Sequence, residues 1–137
     1  MPERSYVNDP TIRNEAALWR RIAPCHLVRD DNLGELRPTS AAFTNSSDGS
    51  PMSILIADIV QDTGRDPSDL LKPFPGYSLA SITAGLARDQ NQAVLRDTFG
   101  DDPTEPAHGY VAGHKTKAVK RALSRNATWI VPPKNTL

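Results

Sequence analysis

The chain has little cysteine, few aromatic residues and no net charge, and each shortage excludes something. Its 137 residues include one cysteine, Cys25, so neither an internal disulfide nor a cysteine-rich zinc site can form. Aromatic residues make up 6% of the chain, which predicts a modest core of Leu, Ile, Val and Ala. The 16 basic and 16 acidic residues cancel, so no overall field favours nucleic acid as a partner.

Long apolar runs are also missing. No stretch approaches the roughly 18 apolar residues that read as a membrane span. The opening residues MPERSYVNDP are polar and lack the apolar centre of a signal peptide. We therefore expect a cytoplasmic protein without membrane contact. The length fits one domain over 1–137, with loose order expected over 1–8 and 134–137.

Proline, glycine and apolar periodicity divide the chain into short elements. Asp9 as a cap and Pro10 at the first helical position predict a helix that ends at Pro24. Residues 77–96 fit either a helix or strands, and we favour two strands. The expected strands cover 53–60, 77–87, 92–96, 107–112 and 128–131, with a short helix capped by Asp66 and a closing helix over 115–124. This pattern predicts an α+β fold: a mostly antiparallel sheet of about five strands with two or three helices.

The closing helix carries the first candidate site. Lys117, Arg121 and Arg125 recur every four residues and form a basic stripe. The turn before it would present free backbone N–H groups, which suit a phosphate or carboxylate. The glycine spacing of a phosphate-binding P-loop is missing. The predicted ligand-binding residues are Gly113, His114, Lys115, Thr116, Lys117, Arg121 and Arg125. The alternative is a solvated helix face, or a basic segment screened by the acidic residues of 97–105.

An enzymatic site is the second candidate. Arg37 and Ser40 lie on a predicted strand, Ser53 lies on the next, and His108 and Glu105 follow later. An arginine followed by small hydroxyl residues and a later acid resembles the residue order of ADP-ribosyltransferase-like folds. The catalytic candidates are therefore Arg37, Ser40 and His108, acting on a nucleotide-like substrate. Arg37 can equally tie a loop to the sheet through its five donors.

Soft metal ligands are few and badly spaced. Cys25 and His26 are adjacent, so their side chains diverge on a strand, and His108 and His114 are six residues apart. Zinc needs three or four converging ligands. The sequence therefore indicates no metal and no cofactor. Cys25 is expected to be a small buried residue rather than a nucleophile.

Four phrases of the chain resemble a scattered group of short bacterial proteins: LWRRIAP, RPTSAAF, DPTEPAHGYVAG and WIVPP. The likeness covers Leu18 to Pro133. It implies a single compact bacterial domain and no particular activity. It draws attention to the residues inside the matching phrases, which are Arg37, Ser40, Phe43, His108, Gly113 and Lys115.

These observations favour a binding or accessory module over an enzyme. The turn and basic helix over 113–125 would contact an anionic partner: a nucleotide, an acidic protein surface or, less favoured by the zero net charge, nucleic acid. The first alternative is the small enzyme built on Arg37, Ser40 and His108. The second is a structural subunit whose apolar strand edges pair in a homo-oligomer.

Overall fold

Eight strands and three α-helices make up the computed structural model, which describes residues 4–32 and 34–134. The strands are β1 (Ala17–Ile22), β2 (Leu27–Asp30), β3 (Glu35–Pro38), β4 (Met52–Ile56), β5 (Ser78–Thr83), β6 (Ala93–Arg96), β7 (His108–Ala112) and β8 (Thr128–Val131). The helices are α1 (Ala57–Asp62), α2 (Ala84–Asp89) and α3 (Lys117–Asn126), with 3₁₀ helices at Pro24–His26, Ser40–Ala42 and Pro67–Leu71. The predicted α+β class is confirmed, with more strands than the five expected.

Six strands form one antiparallel sheet in the order β6-β7-β4-β1-β5-β8, and β2 pairs with β3 in a separate hairpin. β1 lies between β4 and β5. Leu18 faces Ile56 on one side and Ile82 on the other. A central strand of this kind needs apolar residues on both faces, and Leu18, Trp19 and Ile22 supply them. Arg20 and Arg21 lie where β1 and β4 no longer pair.

The predicted helix after Pro10 is wrong, because its C-terminal half is strand β1. Asp9 does cap, but its carboxylate accepts from Thr11 N at 2.9 Å and from the Thr11 hydroxyl, which closes a turn and not a helix. Ile12, Ala16 and Trp19 follow one another at helical spacing and so also favour a helix, but no helix forms there. Pairing of β1 with strands far along the chain outweighs local helix propensity.

Two predicted strands run too far, because each turns directly into a helix. β4 ends at Ile56 and α1 follows, so the strand predicted over 53–60 is half helical. β5 ends at Thr83, whose hydroxyl accepts from Leu86 N at 3.1 Å and so caps α2. The strand over 128–131 and the cap at Asp66 are confirmed.

Apolar side chains cover both faces of the sheet, because successive residues of a strand alternate between faces. Leu18, Ile22, Ile54, Ile82 and Val111 share one core cluster with Phe43 and with Leu123 of α3. Trp19, Leu55 and Leu79 share the opposite cluster with Val60 of α1 and with Leu70.

Helix α3 begins two residues later than predicted, and its apolar face is narrower. The apolar residues of this helix are predicted to face the core, yet only Leu123 is buried, Val119 and Ala122 are half-buried, and Ala118 is exposed. Cys25 is also exposed, because the 3₁₀ helix that contains it lies at the surface. None of the helices in the described residues has the length and apolar character to span a membrane.

Candidate functional site

Strands β4 and β7 bring Ser53 and His108 to the same face of the sheet. In their antiparallel register Ser53 faces Tyr110 and Leu55 faces His108, so the four side chains share a side. The Ser53 hydroxyl and His108 Nε2 are 3.1 Å apart. The pairing of β4 with β7 thus brings together two side chains that are 55 residues apart in the sequence.

Asp97 completes a chain of three side chains. It directly follows β6, and its Oδ2 lies 2.8 Å from His108 Nδ1. A carboxylate can only accept, so Nδ1 carries the proton and Nε2 is left to accept from the Ser53 hydroxyl. The hydroxyl of Ser53, the imidazole of His108 and the carboxylate of Asp97 are therefore arranged in the same order as the three side chains of a serine–histidine–aspartate triad.

The turn after β6 holds Asp97 in its ionised form. The backbone N–H groups of Phe99, Asp101 and Asp102 donate to its carboxylate at 3.1, 3.2 and 2.9 Å. Burial opposes ionisation, but the hydrogen bonds from His108 and from the Asp102 and Asp101 backbone outweigh it and lower the pKa of Asp97 to about 2. Its side chain is 4% exposed, so this charge is screened little by water.

Tyr110 fixes the histidine ring from the side. Its ring meets that of His108 edge to face, with the centroids 4.9 Å apart. The Tyr110 hydroxyl donates to Asp101, which also binds Arg4 at 2.7 Å. Burial and the Asp101 bond raise the pKa of Tyr110, so the phenol stays neutral. The imidazole is thereby held by packing as well as by Asp97.

A cavity of about 260 Å³ opens beside Ser53 and His108. It exists because β1 and β4 pair only at Leu18–Ile56 and Trp19–Leu55 and then diverge. The lining consists of aromatic and aliphatic side chains, two arginines, two histidines and the serine: Trp19, Arg20, Arg21, Ala23, His26, Ala42, Ser53, Ile54, Leu55, Phe74, Tyr77 and His108. Among these lining residues none is acidic.

Arg20 fills the gap between the diverging strands. Its Nε donates to the carbonyl oxygen of Ala42 at 3.0 Å, and its Nη1 donates to that of Ser53 at 2.8 Å. Burial lowers the pKa of Arg20 to about 10, which still leaves it protonated at neutral pH. A half-buried positive charge is thus fixed next to the backbone of Ser53, and the Arg20 Nη2 has no acceptor in the described part of the chain.

Arg21 is held at two points. Its Nε donates to the Leu70 carbonyl at 2.8 Å, and its guanidinium lies 4.4 Å above the Phe74 ring. Burial lowers the pKa of Arg21, while the nearby carboxylates of Glu105 and Asp102 act against this shift. Glu105 itself binds Arg65 through two bonds, at 2.7 and 2.8 Å.

Of the three catalytic candidates predicted from sequence, only His108 lines this cavity. Arg37 is exposed on β3 with its Nε 3.4 Å from Asp30, and it lines a different groove beside β8. Ser40 is exposed on a 3₁₀ helix rather than on a strand. Glu105, the predicted acid, is bound to Arg65. The structure therefore does not bring Arg37 and His108 together.

The turn before α3 is built around Lys115. Its ammonium is buried and donates to Asn45 Oδ1, Gln92 Oε1 and the carbonyls of Val111 and Gly113, at 2.6–3.2 Å. Burial, with a smaller effect of Arg20, lowers the pKa of Lys115 to about 8. Lys115 thus joins the turn to β6 and β7, and it does not face solvent.

The remaining predicted anion-binding residues lie at the surface. His114 is exposed, and the Thr116 hydroxyl accepts from Val119 N and caps α3. Lys117, Arg121 and Arg125 are exposed, and no carboxylate in residues 4–32 and 34–134 lies within salt-bridge distance of them. Three acidic residues of 97–105 bind His108, Arg4 and Arg65 instead, so no ion pair joins the two segments within the described residues.

Sequence reasoning missed Asp97, Arg20 and Arg21 and placed Ser53 beside the wrong partners. Both Ser53 and His108 lie on predicted strands, so an antiparallel pairing of these two strands was the signal that could have indicated their contact. Within the described chain no group of three or more His, Cys, Asp or Glu side chains is placed to hold a metal ion. Comparison with profiles of known families, with curated proteins and with solved structures gave no significant match.

Proposed function

We propose that the protein is a small serine hydrolase in which Ser53 is the nucleophile, His108 the general base and Asp97 the residue that orients it. The observation that carries the proposal is the continuous hydrogen bonding from Ser53 to His108 to Asp97 at the wall of a cavity. Each residue offers the atom that its role requires, and the histidine has the tautomer that accepts a proton from serine.

The reaction on an ester follows from these atoms. Ser53 Oγ bonds to the acyl carbon while its proton passes to His108 Nε2. The bond to the leaving oxygen then breaks, and that oxygen takes the proton from Nε2. A water attacks the acyl-serine, gives its proton to Nε2, and the acyl–Oγ bond breaks as Ser53 recovers the proton. The net change is ester plus water to acid plus alcohol.

Arg20 is suited to the negative oxygen of the tetrahedral adduct. Its guanidinium is already bound to the Ser53 carbonyl, and Nη2 remains available in the described structure. A fixed cation in a buried site stabilises developing charge more than one in water does. The predicted enzyme on a nucleotide-like substrate shares His108 with this site, whereas Arg37 and Ser40 lie elsewhere.

A fluorophosphonate probe tests the proposal, because it phosphonylates activated serines. We expect peptide mapping to find the label on Ser53, and no label on the Ser53→Ala variant. Ser40→Ala is the matched control, since Ser40 is an exposed serine outside the cavity, and its label yield should equal that of the wild type. An unlabelled Ser53 in the folded wild type would contradict the proposal.

Contact between α3 and an anionic partner is a second candidate function. It is favoured by the three exposed cations Lys117, Arg121 and Arg125, which lack carboxylate partners in the described residues. Retention on heparin that falls steeply with salt would support it. Charge reversal at all three positions should then lower the eluting salt concentration, and an unchanged elution would reject it. The cytoplasmic location and the homo-oligomer remain predictions.

A further inference from the structure

The charge lining the cavity bears on what the cavity binds. The protein as a whole has no net charge, yet the lining contains Arg20, Arg21 and two histidines and no acidic residue. The positive charge at the cavity wall comes from the two arginines, while the carboxylates nearest to it, Asp97, Glu105 and Asp102, lie behind the lining. In a space partly closed to water the charge of an arginine acts more strongly on a ligand than it would at an open surface.

Arg21 is the lining residue best oriented to bind an anionic group. Its Nε is occupied by the Leu70 carbonyl and its flat side lies against Phe74, so the orientation of the guanidinium is set before any ligand binds. The two terminal nitrogens have no acceptor in the described residues. Two parallel N–H groups at the end of a guanidinium match the two oxygens of a carboxylate or phosphate.

The other walls favour a small ligand with a flat apolar part. Trp19, Phe74 and Tyr77 line the cavity, and the rings of Phe74 and Tyr77 lie 5.2 Å apart. Trp19 is 4% exposed, and its indole N–H finds no acceptor within the described structure. The volume of about 260 Å³ is below the roughly 300–1,000 Å³ usual for drug-sized ligands.

We infer that the cavity binds a small acyl compound bearing an anionic group, which Arg21 holds end-on through both terminal nitrogens while Ser53 faces the acyl carbon. The acyl group of the ligand rests on the proposed function, whereas its anionic group rests on Arg21 alone. The anionic group is a carboxylate or a phosphate, and both present the paired oxygens that the argument requires.

Titration calorimetry on the full chain tests the inference without any turnover. Benzoate is the probe and benzamide its neutral counterpart of the same shape. We expect benzoate to bind at least about tenfold more tightly than benzamide, the difference expected for a charge-assisted hydrogen bond. Phenyl phosphate is the second arm: tighter binding than benzoate identifies a phosphate, and weaker binding a carboxylate. Equal binding of benzoate and benzamide would overturn the inference.

Variants at two arginines locate the contact. Arg21→Gln should weaken benzoate binding about tenfold or more, whereas Arg37→Gln, in the groove beside β8, should leave it unchanged. If Arg21→Gln does not fold, Arg21→Lys decides: it keeps the charge without the paired donors, and affinity equal to the wild type rejects the end-on contact. Benzoate binding without Ser53 labelling would refute only the hydrolase. Ser53 labelling without benzoate binding would refute only the anion site.

Discussion

The cavity beside His108 and the basic face of α3 both present positive charge, but they hold it in opposite ways. In the cavity, Arg20 and Arg21 are bound to backbone carbonyls and surrounded by packed side chains. On α3, Lys117, Arg121 and Arg125 extend into solvent without ionic partners in the described residues. Oriented chemistry needs fixed groups, so the first region suits catalysis and the second suits attraction of an anionic surface.

Replacing His108 should have the largest effect and should separate the two regions most clearly. In His108→Gln, Ser53 loses its base, and we expect fluorophosphonate labelling to slow by about 10²–10⁴-fold, the usual contribution of a general base. His114→Gln is the matched control, because His114 is exposed at the turn before α3. Equal slowing in both variants would mean that His108 does not act as the base for Ser53.

Lysines on the two sides of Thr116 offer the next comparison. Lys115→Met leaves Asn45, Gln92 and two carbonyls without their shared donor, so we expect a loss of about 3 kcal/mol in the free energy of unfolding. Lys117→Met should stay within about 0.5 kcal/mol, as exposed sites usually do. Urea unfolding measures both. A stable Lys115→Met variant would show that the buried ammonium is dispensable.

Acid should weaken the cavity region through Asp97. Its pKa is about 2 in the fold against an ordinary value of 3.8. Between these pH values the unfolded chain binds more protons, so this contribution is complete above about pH 5 and is lost as the pH falls towards 2. It amounts to about 2 kcal/mol.

Unfolding free energies measured from pH 5 to pH 2 check this prediction. Wild type should lose about 2 kcal/mol more across the range than Asp97→Asn, which has no proton to gain. Asp62→Asn, at the exposed end of α1, should follow the wild-type curve. Parallel curves for wild type and Asp97→Asn would rule out a low pKa for Asp97.

Charge reversal on α3 should affect the cavity least. With Lys117, Arg121 and Arg125 all changed to Glu, Ser53 labelling should stay within about twofold of wild type, because the three side chains are exposed, do not line the cavity, and their charges are screened by salt. The same variant should elute from heparin at lower salt, whereas Arg21→Gln should not. A large fall in labelling would mean that the two regions act together.

Local signals in the sequence were sufficient for some elements. Asp66 followed by Pro67 predicted its cap correctly, and the strand over 128–131 is bounded as expected by the prolines after it. The helix predicted over the residues of β1 was wrong because the conformation of this segment is set by its pairing with β4 and β5, which lie far along the chain. The strand predicted from residue 53 is too long for a local reason: α1 begins at Ala57 without a side-chain cap that would mark its start.

The site was less predictable than the fold, for a related reason. His108 was identified because histidines are few, but its partners depend on strand register. Arg37 and Ser40 are near Ser53 in sequence, yet they belong to the hairpin and to a 3₁₀ helix. Asp97 looked like one of several loop carboxylates. The pairing of β6 with β7 places Asp97 beside His108, and the pairing of β7 with β4 places His108 beside Ser53.

Rapid-quench mass spectrometry of the wild type during reaction with p-nitrophenyl acetate tests the role of Ser53 most directly. We predict that an acetyl group appears on Ser53 within the first turnover and then disappears as water releases it. It should be absent from Ser53→Ala and should form slowly in His108→Gln. Acetylation confined to other residues, and equal in wild type and Ser53→Ala, would contradict the assignment of Ser53 as the nucleophile.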